Sequence, residues 1–373
     1  MSDLPSTGLH LLSTLGEDGQ LTVELVEHEV PRPTGHEVLV RVEAAPINPS
    51  DLILQFGPAD LAGAAYSDGK IVATMPESAR KAMAGRLGQA MPLGNEGAGT
   101  VIAAGEAPDA QALVGKLVTA AGGGMFAQYR VLDARTCMEL PDGITAEQGA
   151  AAFVNPLTAL GFVETMRREG HKAIVHTAAA SNLGQMLVRL CREDGVPLVN
   201  IVRSDEQVSL LKSLGAEHVV DSSREDFPTA LVEAIAATGA TIGFDAIGGG
   251  KLAGQILAAI EQVASRGAEY SRYGSTSPKQ VYIYGALDMG PTILNRSFGL
   301  TWNLGGWLLL PFLAHVGVQN AERLRQRVRD GLTTIFASQY KAKVALSHVL
   351  AKDAVAAYNA KRTGEKCLVL PHG

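Results

Sequence analysis

The sequence predicts an α/β protein: a doubly wound parallel sheet covered by helices, joined to a mainly β unit. Three observations predict it. From about Asn155 onward, apolar strand-like runs alternate with amphipathic helical runs, the pattern of a parallel sheet with crossover helices. The first third instead carries short alternating runs, such as EVLVRVEAA (37–45) and GTVIAAG (99–105), broken by Gly, Pro and Asp. The 373 residues exceed one ordinary domain, and with 46% hydrophobic and 19% charged residues each of two domains can bury a core.

The elements follow in order. After the N-terminal strands, residues 59–90 interrupt the pattern, and PESARKAMAGRLGQA (76–90) reads as a helix with Pro76 and Glu77 near its start. KAIVHT (172–177) is the first strand of the parallel sheet. SNLGQMLVRLCRE (181–193) is a helix, because Leu183, Met186, Leu187, Leu190 and Cys191 recur at i, i+3, i+4, i+7 and i+8. VPLVNIV (196–202), HVV (218–220), TIGFDAI (241–247) and QVYIYGA (280–286) are further strands. They alternate with helices in SDEQVSLLKSLGAE (204–217), through LVEAIAA (231–237) and in KLAGQILAAIEQVAS (251–265). The polar stretch 266–279 reads as a surface excursion. The apolar stretch 300–316 contains Asn303, Pro311 and His315 and is too short to cross a bilayer, so it reads as a buried helix or an interface.

A formal net charge of −6 without a run of Lys or Arg gives no electrostatic footprint for nucleic acid or an anionic membrane. The N-terminal MSDLPSTGLH lacks a charged-then-apolar signal pattern, so a cytoplasmic location is expected. Cys137, Cys191 and Cys367 lie far apart in sequence, which argues against a disulfide framework and a structural zinc site.

The chemistry-bearing stretch is VHTAAASNLGQMLVRLC (175–191), a strand turning into a helix. A helix N-terminus there aims amide donors and the positive end of its dipole at the strand ends, where a diphosphate can sit. The dinucleotide fingerprint G-x-G-x-x-G is altered to Ala179, Ser181 and Gly184, with small residues in place of two glycines and a hydroxyl gained at Ser181. At the end of the second strand, a carboxylate would favour NAD and an Arg the extra phosphate of NADP. The sequence there is VNIVRSDEQ, with Arg203 in place, so the expected cofactor is NADPH. Ser204 and Gln207 also have the spacing of a helix-capping box.

With AAPINPSDL (44–52), LGNEGAGTV (93–101), VNPLTALG (154–161), TAAASNLGQ (177–185), NIVRSDE (200–206), LKSLGAEHVV (211–220) and YGALD (284–288), the chain resembles a known family over about residues 37–370. This is the zinc-independent quinone oxidoreductase and 2-enoyl thioester reductase branch of the medium-chain dehydrogenase/reductase superfamily. The resemblance implies a GroES-like catalytic domain from residues 1–154 and 340–373, and a Rossmann NADPH-binding domain from residues 155–339. It also implies a homodimer joined through the parallel sheets. Carried over residue by residue, the cofactor contacts would be Asn155, Ala180, Ser181, Asn182, Leu183, Gly184, Arg203, Ser204, Asp205, Tyr284, Gly285, Ala286, Leu287, Gly306, Trp307, Leu308 and Lys366. Where zinc-dependent relatives need Cys and His, this chain has Asn48 or Pro49 and Asn95, poor zinc ligands, so no metal site is expected.

Hydride transfer is the cofactor's chemistry, and a quinone acceptor asks the protein for little beyond placement. An enoyl thioester also asks for a polarising donor and a proton source. The thioester-reducing relatives use a tyrosine that aligns here with Ala59, while Tyr66 lies seven residues on, leaving Tyr66 and Asn48 as the catalytic candidates. The leading expectation is therefore an NADPH-dependent reductase of quinones or other conjugated carbonyls, acting on a small electrophilic acceptor. The alternatives are a trans-2-enoyl thioester reductase and a catalytically inactive NADPH-binding protein. Arg80, Lys81 and Arg86 would offer cations to an acidic tail such as a coenzyme A phosphate.

Overall fold

A computed structural model describes residues 4–360 and 366–373. The chain divides into two compact units, one of Met1–Val154 with Arg329–Gly373, the other of Asn155–Val328. The chain leaves the second unit at Arg329 rather than at residue 340, so the turn after helix Val318–Asp330 belongs to the first unit.

In the first unit a five-stranded sheet runs in the order Asp60–Ser67, Lys70–Thr74, Gln20–Glu29, Thr7–Leu15, Ala90–Pro92. A second sheet is built on the long strand Glu37–Pro46, which pairs with Glu96–Ala104, Tyr129–Asp133 and, at its far end, Lys366–Leu370. Tyr340–Ala345 completes that edge by pairing parallel to Lys366–Leu370, so the C-terminus closes a sheet begun near the N-terminus. Alternate side chains such as Leu11, Leu21, Val23, Val38, Val40 and Val42 enter one apolar core.

Residues 76–90 do not form one helix. Glu77–Ala82 is helical and a short 3-10 turn covers Ala84–Arg86, but Gly88 at φ 70° turns the chain into strand Ala90–Pro92. The rest of the interruption is a hairpin of Asp60–Ser67 with Lys70–Thr74, turning at Gly69.

The second unit is the doubly wound sheet. Its strands are all parallel and run His218–Asp221, Leu198–Val202, Ile174–His176, Ile242–Asp245, Lys279–Ile283, Trp302–Gly306, which is 3-2-1-4-5-6 in chain order. Such a sheet puts ligands at the carboxyl ends of its strands, where the order reverses between the first and fourth. Helix Asn182–Asp194 buries the five residues its periodicity singles out and ends at Gly195, whose φ of 64° suits only a residue without a side-chain clash. The apolar stretch 300–316 splits into edge strand Trp302–Gly306 and helix Leu309–Val316, because Gly305, Gly306 and the extended Leu308 separate two short apolar runs. Among the described residues, no helix is long and apolar enough to cross a membrane.

Candidate functional site

The first strand ends in a turn that leads straight into helix Asn182–Asp194. Ala178 takes the left-handed conformation at φ 49°, a strain of roughly 1–2 kcal/mol for a residue with a Cβ. The demanding backbone position thus lies at Ala178, one residue before the expected Ala179. The Ala179 N–H donates to the Ile201 carbonyl (3.1 Å) and the Ser181 N–H to the Ala178 carbonyl (2.9 Å), fixing the turn against the neighbouring strand. The Ser181 hydroxyl caps the helix by accepting the Gly184 N–H at 3.2 Å. A Cβ on Gly184 would stand 2.0 Å from the Ala179 carbonyl oxygen, so helix and turn approach closely only because this position is glycine. The first turn of the helix, Asn182 and Leu183 among it, therefore faces the ends of the strands with its amide donors.

Beside this turn lies a polar cluster of which the sequence reading named only Tyr284. The buried Thr177 hydroxyl donates to Asp245 Oδ1 (2.7 Å) and accepts the Ala246 N–H (2.8 Å). Asp245 also accepts the N–H groups of Ile247 (3.0 Å) and Gly248 (3.2 Å), locking the ends of the first and fourth strands together. His176 Nε2 and the Tyr284 hydroxyl are hydrogen-bonded to each other at 2.8 Å. Burial holds the His176 ring neutral, its pKa pushed down to about 3, and keeps the Tyr284 phenol protonated, helped by the nearby Asp245 carboxylate. The legible signal was a polar residue at the carboxyl end of an otherwise apolar strand, in VHT and in GFD. Tyr284–Leu287 runs along this cluster: Leu287 N–H donates to the Ala246 carbonyl (3.2 Å), and a Cβ on Gly285 would sit 2.6 Å from that oxygen. Ala286 and Leu287 are exposed.

At the end of the second strand Arg203 is exposed, and its guanidinium has no acidic partner among the described residues. Ser204 caps helix Asp205–Ser213 by accepting the Gln207 N–H (3.4 Å), while the Gln207 side chain accepts the N–H of Arg203 rather than that of Ser204. Asp205 is exposed in the first turn. Gly306 and Leu308 are exposed past the edge strand, but the Trp307 ring is buried against Phe162 and Phe312 and donates to Thr165 Oγ1 (3.1 Å). Trp307 thus presents its backbone, not its ring, at the strand ends. Asn155 is half-buried in the first turn of helix Val154–Arg168.

Asn48, Tyr66 and Lys366 belong to the first unit. Buried Asn48 precedes helix Pro49–Gln55; its N–H donates to Asp51 Oδ2 (2.7 Å) and its amide nitrogen to Glu96 Oε1 (3.0 Å). The other oxygen of Glu96 accepts the N–H groups of Phe153 (3.2 Å) and Val154 (2.8 Å). Burial pushes Asp51 up to about 7, with the Glu96 carboxylate adding to it. Lys366 is buried near both carboxylates, its pKa lowered by burial, and its Nζ has no hydrogen-bond partner among the described residues. Tyr66 lies on strand Asp60–Ser67, half-buried against the core with the Lys352 ammonium 5.9 Å from its ring, and its phenol makes no hydrogen bond among the described residues. The structure therefore joins Asn48 to Asp51 and Glu96 but does not link Tyr66 to them. The three cations of the interruption are already engaged: Arg80 and Lys81 with Glu77, and Arg86 with the Ser13 hydroxyl at 2.6 Å.

Asn95 spends its N–H on Asp51 Oδ1 (2.7 Å) and its amide on Ser50 (2.8 Å). Among the described residues, no group of three or more His, Cys, Asp or Glu side chains is arranged to hold a metal ion.

Two family models match in succession, the alcohol dehydrogenase GroES-like domain over residues 34–142 and the zinc-binding dehydrogenase domain over residues 182–296. A quinone oxidoreductase of Pseudomonas aeruginosa is 31% identical over 159 residues, 42% of this chain and 49% of that protein. A mitochondrial enoyl-[acyl-carrier-protein] reductase of Xenopus tropicalis is 28% identical over 227 residues, 59% of this chain and 57% of that protein, so the aligned stretch spans about half the length of these relatives. A putative NADPH:quinone reductase from Mesorhizobium loti has the same fold, with a TM-score of 0.76, 27% identity, and coverage of 99% of this chain and 100% of that one. Two successive domain models, these homologues and the shared fold are all those of oxidoreductases of the medium-chain dehydrogenase/reductase superfamily, which the chain resembles in both of its units.

Proposed function

We propose that the chain is an NADPH-dependent reductase that delivers hydride to quinones or other conjugated carbonyl acceptors without a metal. The observation that carries this reading is the Ser181-capped helix start, packed against the turn through Gly184, with the Arg203 guanidinium, which has no acidic partner among the described residues, on the adjacent strand end. A dinucleotide fits that arrangement: amides of the first turn hold its diphosphate, and Arg203 with Ser204 holds the 2′-phosphate that distinguishes NADPH. Bound there, NADPH supplies a hydride from its reduced nicotinamide. Thr177 and Asp245 keep the strand ends rigid, and Tyr284–Leu287 offers backbone groups beside them.

The metal-free reading rests on the donor set. Asn48 and Asn95 replace stronger ligands and both are committed to hydrogen bonds. The enoyl thioester reading is supported by the Xenopus relative and opposed by Ala59, since Tyr66 has no hydrogen-bonded link to Asn48. Following NADPH oxidation with a quinone panel beside crotonyl and longer enoyl thioesters separates the two. Faster quinone turnover is expected, and thioester turnover far above it would reverse the ranking. Tight NADPH binding with no turnover of any acceptor would instead leave a nucleotide-binding protein without activity.

A further inference from the structure

The first unit also holds a cavity of about 340 Å³ lined by strands of both its sheets, apart from Asn48, Asp51, Glu96 and Lys366. That volume lies at the lower end of the roughly 300–1,000 Å³ usual for small-molecule sites. Three cationic or cation-forming side chains converge on it. In the antiparallel pair of Thr7–Leu15 with Gln20–Glu29, His10 faces Val26 and His28 faces Gly8, which puts both imidazoles diagonally on one face with ring centroids 5.3 Å apart. Arg130, on strand Tyr129–Asp133, donates from Nη2 to the Gly123 carbonyl (3.1 Å) and keeps a buried Nε without a partner among the described residues. The lining carboxylate, Glu29, is exposed and forms no ion pair among the described residues. Burial first, then Arg130 and His28, depress His10 to about 4, so its imidazole is neutral near pH 7. The remaining wall is apolar, with Leu12, Leu39, Pro92 and Val131.

We propose that this cavity binds a small monocarboxylate with an apolar body. A guanidinium is a planar donor fork that matches a carboxylate, and the imidazole N–H groups of His10 and His28 offer further donors beside it. The apolar wall then takes the hydrocarbon or ring of the ligand, which a bare inorganic anion would leave uncovered.

The test is a titration of the full chain with benzoate, its neutral isostere benzamide and inorganic phosphate, followed by the imidazole NMR signals of His10 and His28. Benzoate is expected to shift both signals saturably, with benzamide and phosphate far weaker. Arg130→Gln should weaken benzoate at least about tenfold, the loss of one charge-assisted contact. Should that variant fail to fold, His28→Gln, at an exposed position, should also weaken benzoate. Benzamide or phosphate binding as tightly as benzoate would overturn the proposal, as would no saturation by about 10 mM, weaker than any specific site of this size needs to be.

Discussion

Gly184 and Arg203 divide the work of the nucleotide turn, one by having no side chain and the other by having a charged one. A methyl at Gly184 would collide with the Ala179 carbonyl, so Gly184→Ala should lower stability by about 1–3 kcal/mol, the cost of overpacking, and abolish nucleotide binding; thermal unfolding and NADPH titration check both. Arg203→Ala should weaken NADPH by about 1.5–3 kcal/mol, the worth of a charged hydrogen bond, and leave NADH nearly unchanged. Equal loss for both nucleotides would remove Arg203 from the phosphate site. Buried titratable groups make stability depend on pH in opposite senses. The unfolded chain protonates His176 near pH 6.5 while the folded ring resists to about 3, so stability falls as pH drops below about 6.5, by about 1.4 kcal/mol per pH unit. Asp51, held at about 7 when folded, acts oppositely: the native state binds the extra proton between about pH 4 and 7, so its contribution weakens as pH rises through that window. Because the two effects oppose each other between about pH 4 and 6.5, denaturant midpoints relative to the parent chain should rise toward acid in His176→Gln and fall toward acid in Asp51→Asn.

At the scale of elements, period and caps were readable where one element spans one pattern. Helix Asn182–Asp194 follows the apolar stripe read from its sequence, and the structure adds a Ser181 cap and a Gly195 stop. Replacing Ser181 by Ala should cost about 1 kcal/mol through the lost cap, read by chemical denaturation. Residues 76–90 misled because good helix formers surround Gly85 and Gly88, and only pairing of Ala90–Pro92 with Thr7–Leu15 decides where the helix stops. Residues 300–316 misled because a five-residue edge strand and an eight-residue helix, run together, imitate one longer apolar element. The excursion 266–279 is partly exposed, as composition indicated, yet it is anchored by Lys279, whose buried ammonium lies 2.7 Å from Glu261. That pair lies far apart in the local pattern, so no periodicity announces it. Lys279→Met would strand a buried carboxylate, and a loss of about 3–5 kcal/mol is expected.

Across the whole molecule, alternation of strand and helix identified the doubly wound sheet, and its order follows from right-handed crossovers around a switch point. What the residues near that point do was only half legible. The amide-lined turn and Arg203 are local and could be read in one stretch, whereas Thr177–Asp245 and His176–Tyr284 join strands distant in sequence. The same holds in the first unit, where Glu96 gathers Asn48, Phe153 and Val154 from three segments. Nucleotide binding at the turn before helix Asn182–Asp194 is the central claim, and calorimetric titration of the full chain with NADPH and with NADH tests it most directly. Saturable heat from NADPH, clearly tighter than from NADH, is the predicted result; no heat from either nucleotide would contradict the account at its base.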